Sequence, residues 1–356
     1  MGHDNDQSYL TGVHTQAEMR KTYIPDSARQ SREVVIVTGA SAGLGRAIAT
    51  EFAAKGAKLG LLARGCDGLE GARRDVKAVG GVGLAVAVDV ADADQVEAAA
   101  ESIERQLGPI DVWVNCAMTT IFAPFIEISP QDYKRATEVT YLGCVYGTMA
   151  ALKRMYPRNR GTIIQVGSAL AYRSIPLQSA YCGAKHAIAG FTDSIRTELY
   201  HNKKDIHLTM VQLPAMNTPQ FDWCKCKMPR HPQPVAPIFE PEVAARAIVW
   251  ASQHPRREMC VGASTVLAIW ANKFIPGLVD RYLGATGFDS QQTNEPVRPE
   301  RPNNLFDPLP GDRGAHGSFG NRSYKRSIQT WITENRLSLA VAGTLLIGAT
   351  IGGLRN

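Results

Sequence analysis

Short apolar runs alternate with longer stretches of helical periodicity from Glu33 to Gly262. Short apolar runs are typical of strands buried on both faces, and longer amphipathic stretches are typical of crossover helices. The alternation predicts an α/β fold with a doubly wound parallel sheet of about seven strands and helices on both faces. We place the strands at Val34–Val37, Leu59–Ala63, Val82–Val88, Val112–Asn115, Thr162–Val166, Leu208–Gln212 and Met259–Val261.

Helical patterns follow these strands, and several open with a start signal. Asp and Ser side chains cap free N–H groups at a helix start, and proline suits the first turn because its missing N–H is not needed there. We expect helices to begin near Leu44, Asp67, Asp92, Pro130, Ser179 and Pro241.

Composition divides the chain into four parts. Residues 33–285 predict the folded body, and the polar residues 1–32 predict a disordered extension. Residues 286–326 are rich in Pro, Asn, Asp, Gly and Arg and predict an extended linker that buries too little surface to fold. Residues 327–356 predict an apolar C-terminal helix. Inside the body, Ser264–Leu283 is apolar but interrupted by charges and a proline, which favours a surface-packed helix or a substrate lid.

The run Leu337–Leu354 has no charged residue and would be about 27 Å long as a helix, barely enough to cross a bilayer. Basic residues precede the run and only Arg355 follows it, which favours a membrane anchor with the body in the cytoplasm. Glycines in the run leave open a helix that packs on the body or on a dimer partner. Residues 1–32 show no secretory leader, so we expect a cytoplasmic body.

Charge and cysteine content narrow the function classes. The net charge of +6, from 39 basic and 33 acidic residues, marks out no basic groove, so we expect no nucleic-acid partner. The seven cysteines are odd in number and scattered, which suits a reducing compartment without disulfides. Cys224 and Cys226 form a CxC pair with no second pair at zinc spacing, so we predict no metal site.

The segment TGASAGLG, Thr38–Gly45, connects the first strand directly to a helix. Gly39 permits a tight turn, Gly43 lets the backbone approach a pyrophosphate, and Gly45 lets helix and strand pack closely. The helix N-terminus adds unpaired N–H groups and the positive end of its dipole. The segment therefore predicts the phosphate-binding turn of a Rossmann-type dinucleotide fold.

The end of the second strand decides between NAD and NADP. An acid there would bind the free 2′-hydroxyl of the ribose and repel a 2′-phosphate. Here Ala63 is followed by Arg64, whose guanidinium can pair with that phosphate. The alternative is a surface arginine that merely follows a strand, and the missing acid favours NADP.

Tyr181 and Lys185 lie four residues apart in YCGAK, which puts them on one face of a helix. A phenol with a reference pKa near 10 is a weak acid–base catalyst at neutral pH, and a nearby ammonium would lower that pKa. Such pairs also arise by chance. Ser168, at the end of the fifth strand, lies at the sheet edge where open α/β folds bind ligands, so its hydroxyl can face the same substrate oxygen.

Six motifs together resemble the short-chain dehydrogenase/reductase family over Glu33–Gly262. They are TGASAGLG, Asp89-Val90, NCAM at Asn115–Met118, Ser168, YCGAK at Tyr181–Lys185 and the stretch Pro214–Pro219. The resemblance implies that NADPH gives a hydride to a carbonyl carbon while Tyr181 donates a proton to its oxygen. It further implies that Lys185 binds the nicotinamide ribose and that Ser168 orients the substrate.

The resemblance also implies a set of cofactor contacts. Asp89 and Val90 are similar to the residues that contact adenine, and Thr218 is similar to the residue that meets the carboxamide. The other expected contacts are Ser41, Leu44, Asn115, Ala117 and Pro214.

Three departures from the family pattern bear on activity. Met118 replaces a glycine beside the cofactor, Thr140 occupies the position of an asparagine that supports a water relay to the lysine, and Ala215 replaces the glycine after Pro214. The leading hypothesis is an NADPH-dependent oxidoreductase that interconverts a ketone or aldehyde and an alcohol. Met118 and Thr140 keep open a cofactor-binding sensor or scaffold with little turnover. The apolar segments favour a hydrophobic substrate, and a homo-oligomer stays open.

Overall fold

The computed structural model describes residues 33–298 and 300–336. Its strands, in chain order, are β1 (Val34–Thr38), β2 (Lys58–Ala63), β3 (Val82–Ala87), β4 (Val112–Asn115), β5 (Ile121–Phe122), β6 (Gly161–Val166), β7 (Ile206–Gln212), β8 (Ala215–Met216), β9 (Lys225–Cys226), β10 (Arg230–Pro232), β11 (Ile238–Phe239), β12 (Glu258–Cys260), β13 (Gln292–Pro296) and β14 (Ser323–Tyr324).

Seven of these strands form one parallel sheet in the order β12-β7-β6-β4-β1-β2-β3. Val35 of β1 stands opposite Leu59 on one side and Val112 on the other. The strand order reverses between β1 and β4, because the chain proceeds outward from β1 to β3 and then returns to β4. In doubly wound folds such a reversal opens a crevice at the carboxyl ends of the strands.

The sheet is buried on both faces, as its continuous apolar runs predict. Alternate residues of β1 pack into two different hydrophobic clusters. Val35 and Val37 belong to one cluster, and Val34 and Ile36 belong to the other. The predicted sheet of seven parallel strands, with its strand positions, is confirmed within one or two residues at each end.

The helices are α1 (Gly43–Ala54), α2 (Cys66–Ala78), α3 (Ala93–Leu107), α4 (Pro130–Thr137), α5 (Gly143–Arg158), α6 (Ser179–His201), α7 (Gln220–Trp223), α8 (Pro241–Gln253), α9 (Ala263–Phe274), α10 (Pro276–Ser290) and α11 (Ile328–Glu334). A π-helical turn, Glu138–Leu142, joins α4 to α5. Helices α1, α2 and α8 pack on one face of the sheet, and α3, α5 and α6 pack on the other.

Local signals explain the helix starts. The Asp92 carboxylate accepts hydrogen bonds from the N–H groups of Asp94 and Gln95, at 3.0 and 3.1 Å. The Ser129 hydroxyl accepts from the N–H of Asp132 at 3.1 Å, and Pro130 fills the first position of that helix. These contacts satisfy N–H groups that have no partner inside the helix.

The predicted linker 286–326 differs from what the structure shows. Leu305 is completely buried against Ile121, Ala136 and Ala180, and Phe319 packs into a second cluster. The segment also carries β13, which pairs antiparallel with β10, and β14. A polar, proline-rich composition therefore did not prevent folding, because two apolar side chains and many backbone hydrogen bonds attach the segment to the body.

The apolar stretch 264–283 forms α9 and most of α10, on the surface. Asn272 donates a hydrogen bond to the Tyr172 carbonyl at 2.8 Å, and Arg173 contacts Asp280 at 2.5 Å. The outward side keeps large side chains exposed, among them Leu267, Trp270, Phe274, Leu278 and Tyr282.

The extension 1–32 and the run 337–354 lie outside the described residues. Across residues 33–298 and 300–336, no helix has the length and apolar character needed to cross a membrane. The membrane anchor stays a prediction from the sequence.

Burial of Leu305 generates a test of whether segment 286–326 belongs to the folded unit. We expect Leu305→Ala to lower the free energy of unfolding by about 2–5 kcal/mol, because it leaves a cavity in a packed cluster. Phe306→Ala, at the next residue in the chain, is the matched control, since the Phe306 side chain is 48% exposed. Denaturant unfolding of both variants measures the difference. Equal stability of the two variants would show that the segment behaves as a linker.

Candidate functional site

A cavity of about 440 Å³ lies at the carboxyl edge of the sheet, above the reversal between β1 and β4. It collects residues that are far apart in the chain. Those predicted from the sequence are Gly39, Ser41, Gly43, Leu44, Gly45, Arg64, Asp89, Val90, Ala117, Ser168, Tyr181, Lys185, Pro214 and Thr218. Met118 lines the cavity as well.

The glycine turn is shaped by close backbone approaches. A Cβ on Gly45 would lie 2.2 Å from the Gly39 carbonyl oxygen, and a Cβ on Gly39 would lie 2.8 Å from the Cα of Ala117. Gly39 also has a φ of +72°, which side chains disfavour. Only glycine at these positions lets β1 turn into α1 and lets the turn pack against Ala117.

Arg64 and Asp89 form the wall at the ends of β2 and β3, and each is held by other residues. The Arg64 guanidinium donates to the carbonyls of Asn304, Leu305 and Phe306. Asp89 accepts a hydrogen bond from Arg135 at 2.5 Å. Burial lowers the pKa of Arg64, and the positive charge of Arg135 acts in the same direction.

Tyr181, Lys185 and Ser168 meet at the opposite end of the cavity. Helix α6 places the Lys185 ammonium nitrogen 5.4 Å from the centre of the Tyr181 ring. That nitrogen donates to the Val166 carbonyl at 2.7 Å, and the side chain is 3% exposed. Ser168 follows β6, hydrogen-bonds to Tyr181, and is positioned through its N–H, which donates to Gln212 Oε1 at 2.8 Å.

Burial moves the pKa values of this pair in opposite directions. It raises the pKa of the Tyr181 phenol, against a smaller lowering by the hydrogen bond with Ser168. It lowers the pKa of Lys185. Loss of water disfavours the charged form of each group. The lowering that the sequence predicted for Tyr181 is therefore not what the structure shows, because desolvation is the largest effect.

Two predicted site residues do not line the cavity. The Asn115 side chain is buried in a network, where it accepts from Trp113 Nε1 at 2.8 Å and donates to Thr148 and Gln165. Thr140 Oγ1 donates to the Thr119 carbonyl at 2.9 Å and accepts from its N–H at 3.0 Å. Thr140 holds the loop that follows β4, and Asn115 links β4 to the neighbouring strand β6.

Residues of the C-terminal segment also line the cavity, and the sequence did not predict them. They are Asn304, Pro308, Leu309, Gly311 and Arg313. Their composition is typical of a linker, and the available signal was the pair of isolated apolar residues Leu305 and Phe319.

One part of the cavity wall is apolar. This wall comes from the loop after β6, from residues 220–239 and from the surface helices α9 and α10. Its apolar members are Leu170, Ile175, Phe221, Trp223, Val235, Ala268 and Leu283.

One cluster of possible metal ligands lies outside the cavity. Ligand atoms of Glu240, Glu242 and His316 lie within 4.8 Å of one another. Glu240 also accepts hydrogen bonds from Asn217 at 3.0 Å and from Ser323. The contacts of Ser323 with Glu240 and of His316 with Glu242 attach the C-terminal segment to the start of α8.

Comparisons with known proteins agree with this arrangement. Residues 33–223 match the family model for short chain dehydrogenases. An uncharacterized oxidoreductase, YxnA of Bacillus subtilis, is 33% identical over 299 residues, which cover 82% of this chain and 83% of that protein. The 3-dehydrosphinganine reductase of Danio rerio is 35% identical over 192 residues, 52% of this chain and 57% of that protein.

A solved structure, that of levodione reductase, shares the fold. Its TM-score is 0.57 at 24% sequence identity, and the alignment covers 66% of this chain and 98% of that one. The family match over more than half of the chain, together with the long alignment to YxnA, confirms the resemblance seen in the motifs. The chain therefore belongs to the short-chain dehydrogenase family of oxidoreductases.

Proposed function

We propose that this protein is an NADPH-dependent reductase that interconverts a carbonyl group and an alcohol on an apolar substrate. The observation that carries the proposal is the meeting of Tyr181, Ser168 and Lys185 in the cavity that also contains the glycine turn. A phenol, a hydroxyl and an ammonium grouped beside a dinucleotide crevice suit proton transfer to a carbonyl oxygen.

The residues present fit a dinucleotide cofactor. The turn between Gly39 and Gly45 packs too closely for side chains at its glycines and lines the cavity, and α1 begins there with its N-terminal N–H groups and the positive end of its dipole. When bound, the nicotinamide of the cofactor supplies the hydride that reduces the carbonyl carbon. Arg64, Asp89 and Val90 would hold the adenosine end, and Thr218 lies beside the glycine turn at Gly43.

The chain's own side chains supply the proton and the orientation. Tyr181 Oη donates its proton to the substrate oxygen as the carbon is reduced, and the reverse reaction returns the proton to the phenolate. Ser168 donates a hydrogen bond to the same oxygen and keeps it beside Tyr181. The positive charge of Lys185 favours the phenolate that remains after transfer.

Two features support NADPH over NADH. No acid stands at the end of β2, where it would bind a free 2′-hydroxyl. Arg64 stands there instead, and carbonyl oxygens from the C-terminal segment hold its guanidinium in place. A guanidinium fixed in this way retains N–H groups for a phosphate at low entropic cost.

The apolar wall supports a hydrophobic substrate, because Ile175, Phe221 and Val235 offer few polar partners. The relative named 3-dehydrosphinganine reductase supports reduction as the working direction. The alternative is a cofactor-binding sensor with little turnover. Met118 in the cavity and the engagement of Thr140 by Thr119 are the observations that favour it.

Removal of the phenolic hydroxyl tests the proton donor. We expect Tyr181→Phe to lower the rate of NADPH-dependent ketone reduction by about 10²- to 10⁴-fold, because general acid catalysis is lost. NADPH affinity should stay near that of the wild type. Tyr200→Phe, on the exposed side of the same helix, is the control. A near-normal rate in Tyr181→Phe would assign the proton to another group, and a wild type that binds NADPH but reduces no ketone in a broad panel would favour the sensor.

The raised pKa of Tyr181 predicts opposite pH profiles for the two directions. The phenol keeps its proton through neutral pH, so reduction should stay level there and fall only in the alkaline range. Alcohol oxidation needs the phenolate, so its rate should rise as pH increases. Steady-state rates of both reactions across this range measure the effect. A reduction rate that falls as pH rises through neutrality would contradict the raised pKa.

Loss of Arg64 tests the cofactor choice. We expect Arg64→Ala to weaken NADPH binding roughly ten- to a hundredfold more than NADH binding, since only NADPH carries the 2′-phosphate. Fluorescence titration with both nucleotides gives the ratio. Arg73→Ala on the neighbouring α2, whose guanidinium pairs with Glu70, is the control. An unchanged NADPH/NADH ratio would remove Arg64 from the choice.

A further inference from the structure

The C-terminal segment runs along the proposed cofactor crevice from the end of β2 to the glycine turn and the neighbouring Thr218. We call residues 304–319 the strap. At the end of β2 its first carbonyls accept hydrogen bonds from Arg64. At the glycine turn the Gly314 carbonyl accepts the N–H of Gly43 at 2.9 Å. Near Thr218 the strap ends with the N–H of Phe319, which donates to Asn217 at 2.9 Å.

The middle of the strap is fixed beside the N-terminus of α1. Asp312 forms salt bridges with Arg46 of α1 and with Arg74 of α2. The Gly311 N–H donates to Asp67 at 2.7 Å. The Arg46 side chain is only 7% exposed. These contacts set the position of the strap against the first turn of the helix that should meet a pyrophosphate.

Arg313 lies between two of these anchors. Asp312 on one side contacts α1, and Gly314 on the other is bonded to the glycine turn. The Arg313 side chain is exposed and lines the same cavity as Gly43 and Leu44. In the part of the chain that the structure describes, no salt bridge involves Arg313. Its positive charge acts to lower the pKa of Asp222.

The strap accepts a hydrogen bond from one N–H group of the glycine turn and leaves two others without it. The N–H of Gly43 donates to Gly314, so the strap takes one donor of the turn. The N–H groups of Leu44 and Gly45 belong to the first turn of α1, where no carbonyl within the helix can accept them. Arg313 lines the same cavity as Leu44 and Gly45 and lies one residue before Gly314, which is bonded to the glycine turn.

We propose that Arg313 binds the pyrophosphate of the dinucleotide and that the strap forms the outer wall of the cofactor site. This inference rests on the proposed function, since it takes the cavity as the cofactor site. It assigns different phosphates to the two arginines: Arg64 to the 2′-phosphate and Arg313 to the pyrophosphate. A guanidinium pairs well with phosphate oxygens because its N–H groups match their geometry.

Because the two arginines are assigned to different phosphates, nucleotide affinities alone can test the assignment. The pyrophosphate is common to NADPH and NADH, so Arg313→Ala should weaken both nucleotides by a similar factor, roughly tenfold. The NADPH/NADH ratio should stay that of the wild type. Arg313→Lys keeps the charge but not the fork, so we expect an intermediate loss. Equilibrium fluorescence titration of the full chain measures all of these affinities.

The control is Arg326→Ala, because Arg326 is an exposed arginine of the C-terminal region that does not line the cavity. We expect it to bind both nucleotides like the wild type. Thermal unfolding should show that Arg313→Ala keeps the wild-type melting temperature, since the side chain is exposed.

The outcomes separate this inference from the proposed function. Wild-type affinity of Arg313→Ala for both nucleotides would overturn the role of Arg313 and leave the proposed function standing. A loss confined to NADPH would overturn the assignment to the pyrophosphate, because it would place Arg313 at the 2′-phosphate. A wild type that binds neither nucleotide would overturn the proposed function and this inference with it. An equal loss for both nucleotides supports Arg313 at the pyrophosphate.

Discussion

The reversal of strand order between β1 and β4 is the constraint on which the site depends. Parallel strands end at one edge, and connections that leave in opposite directions cannot cover that edge at the reversal. The resulting crevice receives the glycine turn from one side and the end of β4 from the other. Gly39 keeps the two in contact, since any side chain there would meet the backbone of Ala117.

The chemistry of the cavity depends on groups that are costly to bury. Lys185 is 3% exposed, and its ammonium donates a hydrogen bond to the Val166 carbonyl. Burial disfavours this charge and also the phenolate of Tyr181. A charged group brought close to this phenol and ammonium would shift their pKa values strongly, because low polarity strengthens each electrostatic contact.

The C-terminal segment adds walls that the family region alone does not supply. The family match ends at residue 223, whereas the strap and the surface helices α9 and α10 follow it. The strap lines the part of the cavity that contains the glycine turn, and these helices form part of the apolar wall. Several arginines of the family region hold the strap: Arg64 and Arg135 donate to its carbonyl oxygens, and Arg46 and Arg74 pair with the Asp312 carboxylate. Both ends of the cavity are thus built partly by chain segments outside the region that matches the family.

Local patterns in the sequence determined the sheet, the helix starts and the spacing of the site residues. Strand runs, caps such as Asp92, and the four-residue spacing of Tyr181 and Lys185 each depend on neighbours along the chain. Their chemical roles could be predicted because a glycine turn and a tyrosine–lysine pair are recognised from residues that are close together in the sequence.

Only the tertiary structure decided what depends on contacts between distant segments. Whether Asn115 faces the cofactor or a buried network is set by Thr148 and Gln165, and the partner of Thr140 is set by the loop at Thr119. The pKa of Tyr181 depends on how much water its surroundings exclude. The strap folds because Leu305 finds a cluster made by three other segments, and no pattern within 286–326 records that cluster.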